Sequence, residues 1–429
     1  MHCVLPILAL AATRVGAREI TFPPVSGITT RSGQQVSFAQ DGNNGDFDGI
    51  DISTGSAYSG LTTFASLPYV NCLAAEKDVE KYDVAIFGAP FDTGVTARPG
   101  ARFGPGGIRQ GSRRISAEFA WSIYTGFCIG GLGNEHALLG TQSRGVVCFA
   151  SPEKGLFSHR VFTAVLTLNA GENAFVDWAK VVDCGDAPLT FLDNTVALKQ
   201  LDKAHKIISG RKSANSSYDT PRIITLGGDH TTTLSALRSA YERWGQVSVI
   251  HFDSHLDTWD PKVIGGGISH YAGVNHGTFL HLAHEEGLIR NSSIHAGIRA
   301  PIIRPKGDLR NDLRCGFEIV KARDIDRIGT HGVIEKLKQR VAGSRVYISV
   351  DIDVLDPAFA PATGTSEVGG WTTRELLTIL DGLSGMEVIG GDIVEVAPIY
   401  DNPGETTVLA AAEVAHSLLT LMVQKPVKA

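Results

Sequence analysis

Three polar clusters stand out in the chain: Gly227-Gly228-Asp229-His230, Asp253-Ser254-His255-Leu256-Asp257 and Asp351-Ile352-Asp353-Val354-Leu355-Asp356-Pro357. Each follows directly on a short apolar run. Asp253, His255 and Asp257 alternate, and on an extended segment alternate side chains share one side. Asp351 and Asp353 are related in the same way. Brought together, the carboxylates of Asp253, Asp257, Asp351 and Asp353 would raise one another's pKa strongly. Burying two Asp and a His without a partner is costly. Two divalent cations would cancel the four negative charges, and His230 and His255 would add neutral nitrogen ligands. A set rich in oxygen, with two imidazoles and no thiolate, suits manganese better than a structural zinc. Taken singly, the first cluster reads more readily as a turn, and Asp-x-Asp after a strand as a cap. Asp229 and Asp356 read as structural, bonding local backbone groups.

The elements that must position these clusters follow from the apolar pattern. Buried strands are expected at 83–88, 222–226, 247–252, 345–350 and 386–390. Helices are expected at 196–209, 231–244, 331–341, 373–383 and 406–422. Short all-apolar strands alternating with helices imply an α/β fold whose largely parallel sheet is covered on both faces. In such sheets ligands bind beyond the carboxyl ends of the strands. All three clusters sit at such ends.

The remaining composition is that of an ordinary folded chain: 429 residues, 43% hydrophobic, 20% charged, with a formal net charge of −6. No basic stripe suggests nucleic-acid binding, and no apolar run approaches the roughly 20 residues of a membrane span. The start, Cys3 to Ala12 followed by Val15-Gly16-Ala17, reads as a signal peptide over 1–17, which predicts secretion. The sequons at Asn215 and Asn291 agree with that expectation. Residues 18–80 read as an N-terminal extension. The cysteines are scattered, and no disulfide framework or zinc spacing is evident. Residues 128–168 are aperiodic and read as an insertion outside the core, either a lineage-specific loop or translated non-coding sequence.

The three clusters resemble the metal signatures of the ureohydrolase family, which includes arginase, agmatinase and guanidinobutyrase. The resemblance runs from about Tyr82 to Met422, apart from the insertion. It is supported by Gly88-Ala89-Pro90-Phe91-Asp92, Arg98 to Pro105, Asn275-His276-Gly277-Thr278-Phe279, Ala362-Thr363-Gly364-Thr365 and Val394-Glu395-Val396-Ala397-Pro398. Several of these are closer to the agmatinase branch. The resemblance implies a three-layer α/β/α, arginase-like domain over 81–424 and a homo-oligomer. It also implies two manganese ions, one on His230, Asp253, Asp257 and Asp351, the other on His255, Asp253, Asp351 and Asp353. A nucleophile generated from water by the metals would attack a guanidinium carbon. Glu395 would bind the guanidinium nitrogens, His276 would shuttle a proton to the leaving amine, and Thr363 would line the pocket. The implied reaction is agmatine to putrescine and urea. A guanidinobutyrase or arginase activity, or a non-catalytic binding member, are the alternatives. After the second cluster, Thr258-Trp259-Asp260-Pro261 offers no amino-acid-reading sequence, which favours a decarboxylated substrate.

Overall fold

In the computed structural model, which describes residues 60–117, 120, 173–218, 220–266, 268–269 and 271–428, one eight-stranded sheet organises the chain. Its strands are β1 (Val84–Gly88), β2 (Val181–Asp186), β3 (Arg222–Leu226), β4 (Ser248–Phe252), β5 (Ser293–Ile298), β6 (Phe317–Lys321), β7 (Arg345–Asp351) and β8 (Glu387–Val394). They run in the order β2-β1-β3-β8-β7-β4-β5-β6. Every pairing between them is parallel. Parallel strands need crossovers, and helices supply them: α1 (Gly104–Gly111), α2 (Asn194–Ser209), α3 (Thr232–Trp244), α4 (Phe279–Glu285), α5 (Pro305–Arg314), α6 (Ile325–Arg340), α7 (Thr373–Gly382) and α8 (Thr406–Gln424). The result is the expected three-layer α/β/α arrangement.

The five expected strands are present. The five expected helices are also present, with α6 broken at Gly329, whose φ of 64° lies outside the helical region. That break is why the helical period is legible only from His331 onward. Helix α7 starts on a reciprocal cap, Thr372 accepting from the Glu375 amide while the Glu375 carboxylate accepts from the Thr372 amide. Helix α8 is long and apolar enough to cross a membrane by length and composition, yet 67% of that stretch is buried inside the protein. It is the central cover of the sheet, with Val408, Ala411, Ala415, Leu418 and Met422 in the main core.

Edge strand β2 carries a charged anchor. Arg109 of α1 grips Asp183 through Nε at 2.8 Å and Nη2 at 3.0 Å, and its Nη1 reaches Asp186 at 2.5 Å. The same Asp183 carboxylate accepts the amides of Phe64 and Gly185, each at 2.8 Å. Residues 68–70 run beside β2, the Asp183 amide donating to the Pro68 carbonyl and the Val70 amide to the Asp183 carbonyl. This docking brings Cys72 to Cys184, 112 residues away, with Cα atoms 5.3 Å apart, and the two form a disulfide. The scattered cysteines offer no disulfide framework, yet this pair is bonded. The spacing hid the bond because tertiary pairing, not a local motif, creates it. Cys315 is buried and free. The expected signal peptide, residues 18–59 of the extension and the insertion at 128–168 lie outside the described residues.

Candidate active site

The four central strands β3, β8, β7 and β4 are neighbours in the sheet, and each ends in a residue set named above. Beyond β3 the chain turns through Gly227 and Gly228. A side chain at Gly228 would place its Cβ 1.9 Å from the Phe91 carbonyl oxygen, so only glycine lets the 88–105 loop cross here. That crossing delivers Asp229 and His230. Asp229 accepts the amides of Gly94 at 2.7 Å and Thr231 at 2.9 Å, the structural role expected of it. Burial, and then the nearby Glu395 charge, push its carboxyl up to about 7. Asp356 likewise holds the backbone amides of Ala358, Gly369 and Gly370.

The six expected ligand residues converge. His230 Nδ1 lies 3.2 Å from Asp253 Oδ2, 3.2 Å from Asp257 Oδ2 and 3.3 Å from Asp351 Oδ2. His255 Nδ1 lies 3.4 Å from Asp253 Oδ1 and 3.0 Å from Asp353 Oδ2. Asp253 therefore turns one oxygen to each histidine. A cation with bonds of about 2.2 Å sets neighbouring octahedral ligands about 3.1 Å apart, close to these spacings. His230 Nδ1, Asp253 Oδ2 and Asp353 Oδ2 are buried polar atoms without hydrogen-bond partners. Such orphans are rare unless another group satisfies them. The donor set and its geometry fit a pair of divalent cations.

The electrostatics agree. Burial, compounded by Asp253, raises the Asp257 carboxyl to about 6. Burial together with Asp353 and Asp253 drives Asp351 well above its ordinary range. Burial opposes charge on His230, yet the three carboxylates around it lift its proton affinity well above that of a free imidazole. Asp257 and Asp351 resist ionising and His230 seeks a proton, so this part of the site is short of positive charge. At Asp253 burial is outweighed by the surrounding histidines, which hold its carboxyl well below the ordinary range.

Beside this cluster lies a second group. His276 Nδ1 is 3.0 Å from Glu395 Oε1, and the His230 amide donates to the same oxygen at 2.9 Å. His276 Nε2 faces the Thr96 amide at 3.1 Å and the Thr96 hydroxyl at 2.8 Å. Burial works against the charged imidazole, but the Glu395 carboxylate outweighs it and holds His276 up to about 9. The 275–278 turn is clamped by Asn275, whose side chain reaches the Ile264 and Ala272 carbonyls and the Gly277 amide. Glu395 Oε2 and Thr363 Oγ1 are buried and have no partner. Their segments meet where the Ala397 amide donates to the Ala362 carbonyl at 2.9 Å. Asp257 (φ 53°) and Glu395 (φ 60°) both adopt the left-handed region without being glycine, strain of a kind that gathers at functional sites.

Two contributors escaped the sequence reading. His251 Nε2 sits 3.0 Å from Asp253 Oδ2, with its Nδ1 2.8 Å from His295 Nδ1. The signal was present, since His251 precedes Asp253 by two positions on a strand and so shares its face. Thr96 had no such signal, being placed by a loop fold alone.

A sequence profile described as the arginase family matches residues 82–136 and 158–420. The chain belongs to the arginase family. Its relatives place it, as an enzyme, among the agmatinase-like ureohydrolases. A Schizosaccharomyces pombe protein, provisionally named agmatinase 1, is 46% identical over 382 residues, covering 87% of this chain and 84% of that protein. Agmatinase of Neisseria meningitidis serogroup C is 32% identical over 341 residues, covering 79% and 87%. Among solved structures, proclavaminate amidinohydrolase of Streptomyces clavuligerus superposes with a TM-score of 0.64 at 28% identity, covering 86% of this chain and 99% of that one. Bacillus subtilis arginase shares the fold, with a TM-score of 0.55 at 23% identity, covering 78% and 98%. The arginase-family match leaves out 137–157, within the segment read as an insertion.

Proposed function

We propose that this chain hydrolyses agmatine to putrescine and urea with two manganese ions. His230, Asp253, Asp257 and Asp351 would hold one ion, and His255, Asp253, Asp351 and Asp353 the other. When bound, the metals supply a nucleophile from water at neutral pH and polarise the reacting centre. The observation that carries the reading is Glu395 Oε2, a buried carboxylate oxygen without a partner beside both the ligand cluster and His276. A guanidinium offers N–H donors in a planar fork, and a carboxylate accepts them strongly. Glu395 is fixed in place because its other oxygen already accepts from the His230 amide and His276.

The chain's own residues then account for the proton. His276 Nδ1–H stays committed to Glu395. Its Nε2 can exist in either state, because the Thr96 amide donates to the bare nitrogen and the Thr96 hydroxyl oxygen accepts from the protonated one. As water's oxygen joins the guanidinium carbon and becomes the urea carbonyl, its two protons are released to solvent, and the bond to the alkyl-bearing nitrogen breaks. That nitrogen takes its proton from His276 Nε2. The 11% exposure left to the His276 side chain gives the ring a route to solvent for reprotonation. Thr363 Oγ1 offers a further hydrogen bond to the guanidine.

The agmatinase-named relatives support the decarboxylated substrate. Urea release from agmatine, arginine and 4-guanidinobutyrate, measured side by side, is the test. Higher kcat/KM on arginine would refute the substrate, and full activity after exhaustive chelation would refute the metals. Secretion and homo-oligomerisation belong to the same proposal. The Cys72–Cys184 disulfide, of a kind that persists in oxidising compartments, supports the first. Secretion assays and light scattering check the two.

A further inference from the structure

We infer that Ser349 and Asp392 act as positioning residues that lock His230 in the one tautomer able to ligate a metal. This rests on the metal reading of the site. Ser349 on β7 and Asp392 on β8 are both fully buried. The Ser349 hydroxyl donates to Asp392 Oδ1 at 2.6 Å, and the Tyr347 hydroxyl donates to Asp392 Oδ2 at 2.7 Å. Both carboxylate oxygens are thus committed as acceptors. A serine hydroxyl has one proton, and Ser349 spends it on Asp392. Its remaining contact, His230 Nε2 at 2.8 Å, can only be one in which the serine oxygen accepts. Nε2 must therefore carry the imidazole proton. Nδ1 is left as a bare lone pair aimed at Asp253, Asp257 and Asp351, where a cation is needed.

Partners that fix a ligand's tautomer and ring orientation typically alter metal affinity by 10–100-fold. The arrangement here is indirect, with a hydroxyl interposed between carboxylate and imidazole, and its direction is set from the far end by Tyr347. All three residues come from adjacent paired strands, Ser349 standing opposite Asp392 in the ladder. The chain of bonds is therefore held by the sheet rather than by a loop.

The test is Mn2+ titration of the metal-free full-length chain, read by calorimetry and by metal retained after dialysis. Asp392→Leu frees the serine proton to turn toward His230 and impose the wrong tautomer. Ser349→Ala removes the direction altogether. Both should weaken one of the two binding steps by about 10–100-fold, the first at least as much as the second. A purely structural role would instead lower the urea midpoint of the metal-free variants and leave both Mn2+ affinities at the wild-type value. That result overturns the inference. If Asp392→Leu does not fold, Ser349→Ala decides the matter alone. A wild-type chain that binds no Mn2+ overturns the metal reading itself, an outcome distinct from failure of the two variants.

Discussion

Replacing Arg109 with Met should be among the most damaging single changes away from the active site. The guanidinium is buried and answers two acids of unequal exposure. Asp183 is fully buried, whereas the Asp186 side chain is 43% exposed. Losing the Asp186 contact alone should cost no more than about 1 kcal/mol, because solvent screens it. Asp183 is different, since without Arg109 it becomes an uncompensated buried charge, a condition that costs about 3–5 kcal/mol. The amides of Phe64 and Gly185 still donate to it and offset part of that. A net loss of about 3–4 kcal/mol follows. Urea unfolding followed by far-UV circular dichroism, at fixed Mn2+ and under non-reducing conditions, measures it. The double variant Arg109→Met/Asp183→Asn removes both charges and should recover at least about 1 kcal/mol relative to Arg109→Met. A single variant that loses less than about 1 kcal/mol, or a double variant less stable than the single, would refute the assignment of the cost to a stranded charge.

Asp253→Ala and Asp351→Ala should each abolish urea release, with elemental analysis showing fewer than two metals per chain, since each residue serves both ions in the proposed site. His276→Ala should lower turnover by roughly 10²–10⁴-fold with both metals retained. Metal loss in that variant would mean the residue was misassigned. Thr96→Val, which removes one hydrogen bond to His276, should cost about 1 kcal/mol in kcat/KM and far less than His276→Ala. Buried His205, packed edge-on against Phe87, is held down to about 3 by desolvation. The unfolded chain therefore takes up a proton below about pH 6.5 that the folded chain refuses. Stability should fall as pH drops from there toward 3, by up to about 1.4 kcal/mol per unit. His205→Phe should flatten that slope in urea titrations at pH 7 and pH 5, and an unchanged slope would refute the assignment.

The legible parts of the fold were those buried on both faces. Strands β1, β3, β4, β7 and β8 lie inside the sheet, and their apolar runs are nearly unbroken. The missed strands lie toward its edges. In β2, Val-Val-Asp-Cys-Gly-Asp is interrupted by the acid that Arg109 needs, and in β6 the buried Phe317 and Val320 stand three apart with exposed Glu318 and Lys321 breaking the run. In β5 the run is diluted by His295 and Gly297, and His295 faces His251 and Asp312 rather than an apolar layer. The candidate ligand residues were legible because each closes a buried strand or follows one within five positions. Glu395 and His276 were legible by resemblance, but their mutual contact was not. It depends on the 275–278 turn reaching the end of β8 across 119 residues. Ser349 and Asp392 look like ordinary strand residues, and only the register between β7 and β8 pairs them.

The left-handed backbone at Asp257 and Glu395 has a consequence for anyone evolving this protein in the laboratory. Non-glycine residues held in that region cost of order 1–3 kcal/mol each. Glycine would relieve this at both positions while deleting a candidate ligand and the candidate guanidinium carboxylate. Selection for heat resistance alone would therefore be drawn toward the very substitutions expected, from the proposed site, to abolish activity, and improved melting would be a misleading measure of progress. Libraries aimed at robustness are better directed to the surfaces of α2 and α6, with positions 257 and 395 held fixed.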